Sequence, residues 1–155
     1  MSVTDSVKNP RVQQILSYIA PVITFLLMVW GAYVSAIEAS LACPDWPLCN
    51  GQLIPDLSDP LIFAEFVHRL IAVFVLIVIL LLFLVAFINR AQSNRLFIVT
   101  VLMTVFVLVQ IPLGGIMVIL DLEDLLEVSH LATALLVYSF SIINAVWARD
   151  DLKKS

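Results

Sequence analysis

The sequence predicts an all-α integral membrane protein: one bundle of four transmembrane helices with both termini in the cytoplasm. Three observations predict it. Hydrophobic residues make up 62% of the 155 residues and charged residues only 13%, against roughly 45–50% and about 25% in a soluble domain. The apolar residues fall into four runs, at 16–37, 61–88, 96–120 and 125–147, and each exceeds the ~20 residues that cross the hydrocarbon core. The basic residues are segregated. Seven of the eight lie before the first run, between the second and third, or after the fourth, and such positions are expected to face the cytoplasm. The chain reads as a single four-helix transmembrane domain over residues 1–155. No basic patch suits a nucleic-acid partner, and membrane lipid is the expected surround.

Residues 1–15 are polar, with Asp5, Lys8, Asn9 and Arg11, and lack the layout of a cleavable signal peptide. The first run carries Pro21 near its start, where a missing N–H is tolerated. The connection at 38–60 is long for a helical bundle, where 2–8 residues are usual. It holds Cys43 and Cys49 and is stiffened by Pro44, Pro47, Pro55 and Pro60. Trp46 suits a place at the membrane interface. The charge bias puts this loop outside, where thiols oxidise. A structural disulfide between Cys43 and Cys49 is expected, with a redox-active dithiol as the alternative. The third run contains Gln110-Ile-Pro-Leu-Gly-Gly115. There Pro112 frees the carbonyl of Leu108, and Gly114 and Gly115 allow close approach of a neighbour. Gly31 and Ala32 sit at a comparable depth in the first run.

Two ionisable motifs lie just inside apolar runs: Glu65-Phe-Val-His68 and Glu127-Val-Ser-His130. Residues three apart share a helix face, and ionisable residues within a membrane are functional candidates. The chain has no other histidine. Both motifs belong to a weak internal repeat. Gly31 precedes one outer loop and Glu65-x-x-His68-x-x-x-Ala72, and Gly114 precedes the next and Glu127-x-x-His130-x-x-x-Ala134. In an up-down bundle the second and fourth helices are diagonal, and facing side chains there build cofactor sites. Two neutral imidazoles at matched depth can supply both axial ligands of one haem iron. The alternative is two histidines hydrogen-bonded across helices. Glu65 and Glu127 read either as functional acids or as hydrated acids at helix starts. A di-iron site would need further acids, and Glu38 and Asp121 lie at helix ends, away from the histidines.

These residues resemble the haem A synthase family. The resemblance rests on the loop Leu41-Ala-Cys-Pro-Asp-Trp-Pro-Leu-Cys-Asn-Gly-Gln-Leu-Ile-Pro55, on Glu65-Phe-Val-His68-Arg69, on Gln110-Ile-Pro-Leu-Gly-Gly115 and on His130-Leu-Ala-Thr-Ala134. The chain is similar to the N-terminal half of an enzyme that usually has eight helices. The resemblance implies a multi-pass protein of a prokaryotic plasma membrane that oxidises a ring methyl of haem O to the formyl of haem A, for terminal oxidase assembly. It implies Glu65 as the catalytic acid, and His68 and His130 as axial ligands; Arg69, next to His68, is placed to pair with a propionate near the outer interface. Cys43 and Cys49 become the outer-loop pair. Haem b is the implied cofactor, and haem O synthase and the terminal oxidase are implied partners. A half-length chain would work as a homodimer, packed through lipid-facing Gly31 and Ala32 or Gly114 and Gly115. One departure is that Ser35 and Ala36 stand where a bulkier polar or basic residue is expected. The competing readings are a bis-histidine haem electron carrier without ring chemistry, and a quinone-linked thiol oxidase.

Overall fold

A computed structural model describes residues 10–120 and 123–152. Among them run four α-helices: α1 (Pro10–Ala36), α2 (Pro60–Ile88), α3 (Asn94–Leu120) and α4 (Glu123–Leu152). All four are long and apolar enough to cross a membrane. The helices outrun the apolar runs where polar residues can continue them in water or at the interface. α1 starts at Pro10 and carries Arg11, Gln13 and Gln14 before the apolar face begins. α4 continues past Trp147, with Arg149 in its last turn, where a cation meets the negative end of the helix dipole.

Local chemistry sets the start of α2. The Asp59 side chain accepts from the Leu61 N–H at 2.8 Å and Pro60 occupies the first turn. A capping carboxylate satisfies an orphan donor, and proline there forfeits nothing. At the other end of α2, the Asn89 N–H closes onto the Val85 carbonyl at 3.0 Å.

Each helix packs on its neighbours in sequence, and α1 closes the ring on α4. The tightest pairs are α3 with α4 and α1 with α2, so the bundle is two hairpins, with α2 and α4 diagonal. Polar contacts gather the starts of α1 and α3 and the ends of α2 and α4 at one end. There Asn89 donates to Gln13 at 3.3 Å, and Arg95 pairs with Asp151 beneath the Trp147 ring. The cysteine loop therefore sits at the opposite end.

Between the two ends, Ala20, Val75, Val78, Ile79, Leu82, Met103, Val107 and Val137 form the apolar core. Asn144, fully buried, donates from Nδ2 to the Thr100 hydroxyl at 2.7 Å and ties α4 to α3. The outer faces are also apolar: Phe25, Leu26, Phe74, Leu81, Val105 and Leu135 are all exposed. Exposed apolar area costs about 25 cal/mol per Å² in water, so this surface is built for lipid.

Candidate functional site

The helix periodicity that buries the core also carries the two histidines into the loop end of the bundle. His68 is on α2 and His130 on α4, and each ring rests on a glycine of the other helix in its hairpin. A Cβ placed on Gly31 of α1 would lie 2.9 Å from Cε1 of His68. A Cβ on Gly114 of α3 would lie 3.0 Å from Cε1 of His130. These separations are below van der Waals contact, so only glycine admits the rings where they stand. The sequence repeat thus becomes a spatial one, with an imidazole on a glycine seat in each hairpin.

The Nδ1 atoms of both histidines are buried without a hydrogen-bond partner. The Gln110 backbone carbonyl lies beside the His130 ring without closing a bond on Nδ1. Uncommitted buried polar atoms are unusual and call for an explanation. Imidazoles on diagonal helices, free of protein hydrogen bonds at Nδ1 and seated where glycine leaves room, fit a metal-centred group gripped from both faces. One turn below them, Ala72 and Ala134 are half-buried small residues. No cluster of three or more His, Cys, Asp or Glu placed to hold a metal ion occurs among the described residues. Asp121, considered above for a di-iron site, lies outside those residues.

Glu65 is buried on α2, one turn before His68. Its Oε1 accepts from Arg69 Nε at 2.7 Å, and among the described residues no hydrogen bond reaches Oε2. Glu127 is exposed and bonds the Ser35 hydroxyl of α1. The two acids of the repeat are therefore not equivalent: one is held by an arginine of its own helix, the other by a hydroxyl across the bundle.

The loop folds down over this end of the bundle. Cys43 and Cys49 form a disulfide, and both are buried. Asp45 accepts from the N–H groups of Asn50 at 2.6 Å and Gly51 at 2.8 Å. Those two residues turn the chain through positive φ, at 52° and 72°, a conformation that Gly, and to a lesser degree Asn, tolerates. The Gly51 N–H, and after it the Asn50 N–H, hold the Asp45 carboxyl below the usual carboxylate range. Arg69 donates to the carbonyls of Cys43 at 3.0 Å, Asp45 at 2.9 Å and Leu48 at 2.6 Å. Trp46 lies over Gly115 of α3, where a Cβ would come within 2.8 Å of its indole.

The structure thus brings Glu65, His68, Arg69, the disulfide loop and the His130 helix to one end. Arg69 spends four of its five donors on the loop and Glu65, and Trp46, 40% exposed, lies at the loop end with its indole against Gly115. Gly31, Gly114 and Gly115 face His68, His130 and Trp46, so they do not form a lipid-facing contact surface. The glycine seats were visible in the sequence only as the spacing of the repeat.

Residues 14–155 match the family profile described as "Cytochrome oxidase assembly protein" (COX15-CtaA). Similar proteins include three named "Heme A synthase". That of Symbiobacterium thermophilum is 49% identical over 59 residues, 38% of this chain and 19% of that protein. That of Halalkalibacterium halodurans is 36% identical over 107 residues, 68% of this chain and 35% of that protein. That of Exiguobacterium sibiricum is 31% identical over 135 residues, 83% of this chain and 44% of that protein. The chain thus spans less than half the length of these relatives. No solved structure matches it. With the match running through the loop and all four helices, the chain belongs to the cytochrome oxidase assembly protein family, COX15-CtaA.

Proposed function

We propose that this chain acts in haem A synthesis, oxidising a ring methyl of haem O to a formyl group, with His68 and His130 as axial ligands. One observation carries the reading: two imidazoles on diagonal helices, each seated on a glycine of the partner helix in its hairpin. The three similar proteins named "Heme A synthase" support it. When bound, haem iron supplies the redox chemistry that the side chains lack.

His68 and His130 would hold the haem between α2 and α4. Glu65 sits one turn before His68, and its Oε2 is available to accept a proton or orient water near the ring edge. A carboxylate so placed is a candidate general base. Arg69 holds Oε1 at 2.7 Å, which leaves the second oxygen directed by a fixed partner. The disulfide loop over this end limits access of bulk water. A second copy of the chain would supply a second histidine pair to hold haem b, which would pass electrons one at a time to an external acceptor. The protein would lie in a prokaryotic plasma membrane with the loop outside, between haem O synthase as supplier and a terminal oxidase as acceptor of the product.

The test is an absorption spectrum of the purified protein, paired with haem extraction from cells that also make haem O. Expected are a low-spin Soret band and newly formed haem A. Haem A should vanish in Glu65→Gln with the Soret band kept, and the band should be lost in His68→Ala and His130→Ala. A Soret band without haem A in the wild type would indicate an electron carrier. Unchanged haem in both histidine variants would remove the site.

A further inference from the structure

We propose that Arg69 is a positioning residue that latches the disulfide loop over the histidine site, with Trp46 and Gly115 as the second latch. The proposal rests on the functional reading above only for what the loop covers; the latch itself stands on the geometry of the chain. Arg69 is nine residues past Pro60, the first residue of α2. At a rise of about 1.5 Å per residue this is roughly 14 Å inside the helix. The loop descends to meet it. Three loop carbonyls, from Cys43, Asp45 and Leu48, converge on one guanidinium whose Nε is held by Glu65.

Those carbonyls lie in an irregular segment without a helix to pair them. The Cys43 and Asp45 carbonyls are part-buried and need donors, while that of Leu48 lies nearer the surface. A planar guanidinium offers five N–H groups in a rigid fork, and four are used here. A lysine is a point charge with three rotatable donors and cannot reproduce the arrangement.

The second latch is on α3, the neighbour of α2 that belongs to the other hairpin. Between the Asp45 and Leu48 carbonyls that Arg69 holds, Trp46 is laid against Gly115 of α3. The adjacent Gly114 is the seat of His130. The loop therefore bridges the two hairpins: it is fixed to α2 beside His68 and to α3 beside the His130 seat. The disulfide lies within this bridge, with Cys43 fully buried and Cys49 2% exposed.

The experiment uses the full chain in lipid nanodiscs, with and without haem. The rate at which a membrane-impermeant phosphine reduces Cys43–Cys49 is followed by maleimide labelling. Two variants attack the latches separately. Arg69→Met removes the donors. Gly115→Ala leaves the loop sequence intact but places a Cβ 2.8 Å from the Trp46 indole. Each should speed reduction about tenfold or more, as the loss of charge-assisted hydrogen bonds or of a packed ring opens the loop. Arg69→Lys should fail to restore protection. Trp46→Phe, which keeps an aromatic ring on Gly115, should stay close to wild type.

A second readout separates latching from general destabilisation. In a Trp30→Phe, Trp147→Phe background, Trp46 is the remaining tryptophan. Its emission should shift to the red when Arg69 becomes Met, although Arg69 touches the backbone of the loop and not the indole. Reduction no faster than wild type in Arg69→Met would overturn the proposal. So would lowered haem uptake with full disulfide protection, which would make Arg69 a haem-side group. Lost protection in both variants of a protein that takes up no haem would uphold the latch and defeat only the functional reading.

Discussion

A glycine on a membrane helix is usually taken as a place where helices approach, but here each of three glycines receives a side chain. Alanine at Gly31 or Gly114 gains about 1 kcal/mol of helix propensity but crowds an imidazole, and overpacking costs about 1–3 kcal/mol. The two effects nearly cancel. Gly31→Ala and Gly114→Ala should therefore fold with small changes in thermal stability, yet displace the ring each supports. Circular dichroism melts and the electron paramagnetic resonance of haem-loaded protein would check this. Melts near wild type with altered low-spin signals are expected; unaltered signals would mean the rings do not depend on their seats. Asp45 adds a pH dependence. Its folded pKa lies below the ordinary value of 3.8, so its contribution to loop order is complete above that value and is lost as the pH falls through the folded pKa. Amide exchange at Asn50 and Gly51 should thus be slow and insensitive to Asp45 titration at neutral pH. Asp45→Asn should quicken it at every pH above the folded pKa.

At the scale of elements, the hairpins are tied by sparse polar contacts in an apolar setting. Gln110 of α3 meets the Thr133 hydroxyl of α4 one turn from His130. Further down the same pair of helices, Asn144 donates to Thr100, which itself donates to the Leu96 carbonyl at 2.7 Å. Thr100→Val keeps the branched shape but leaves the Asn144 amide without an acceptor. A hydrogen bond between membrane helices averages about 0.6 kcal/mol, while an unsatisfied buried donor costs about 1–3 kcal/mol. The second effect dominates here because Asn144 is fully buried. Unfolding titrations in mixed micelles should show Thr100→Val destabilised by about 1–3 kcal/mol. The Thr100→Val, Asn144→Val double variant should recover part of that, because both partners are gone.

For the whole molecule, orientation and assembly follow from surfaces rather than from the core. Lys8, Arg11, Arg90, Arg95, Arg149, Lys153 and Lys154 lie outside the apolar runs, away from the cysteine loop in sequence, and the positive-inside rule predicts a cytoplasmic side for them. After reduction in intact cells, Cys43 should react with an impermeant thiol reagent; labelling only after lysis would reverse the topology. Assembly as two copies would give eight helices and two histidine pairs, related by a two-fold axis along the membrane normal. The contact should use lipid-facing apolar side chains rather than the three helix glycines, whose space is already taken. Native mass spectrometry in mild detergent should find two chains and two haems. A monomer that still makes haem A would set the dimer aside.

The sequence by itself determined the class and the frame. Four apolar runs cannot satisfy their backbone in lipid except as helices, and successive crossings of a membrane alternate in direction. The paired Glu-x-x-His spacing marked the layer of interest, because helical period is a local property. Tertiary structure alone decided who meets whom. Arg69 follows His68 directly, so sequence suggested a partner shared with that histidine. Yet the side chain is claimed by carbonyls more than twenty positions earlier. Trp46 read as an interfacial residue, and only the fold showed that Gly115 lies beneath its indole. Glu127 found Ser35, ninety-two positions away. Such pairings depend on how a loop closes over a bundle and which helices become neighbours, and no periodicity along the chain encodes that.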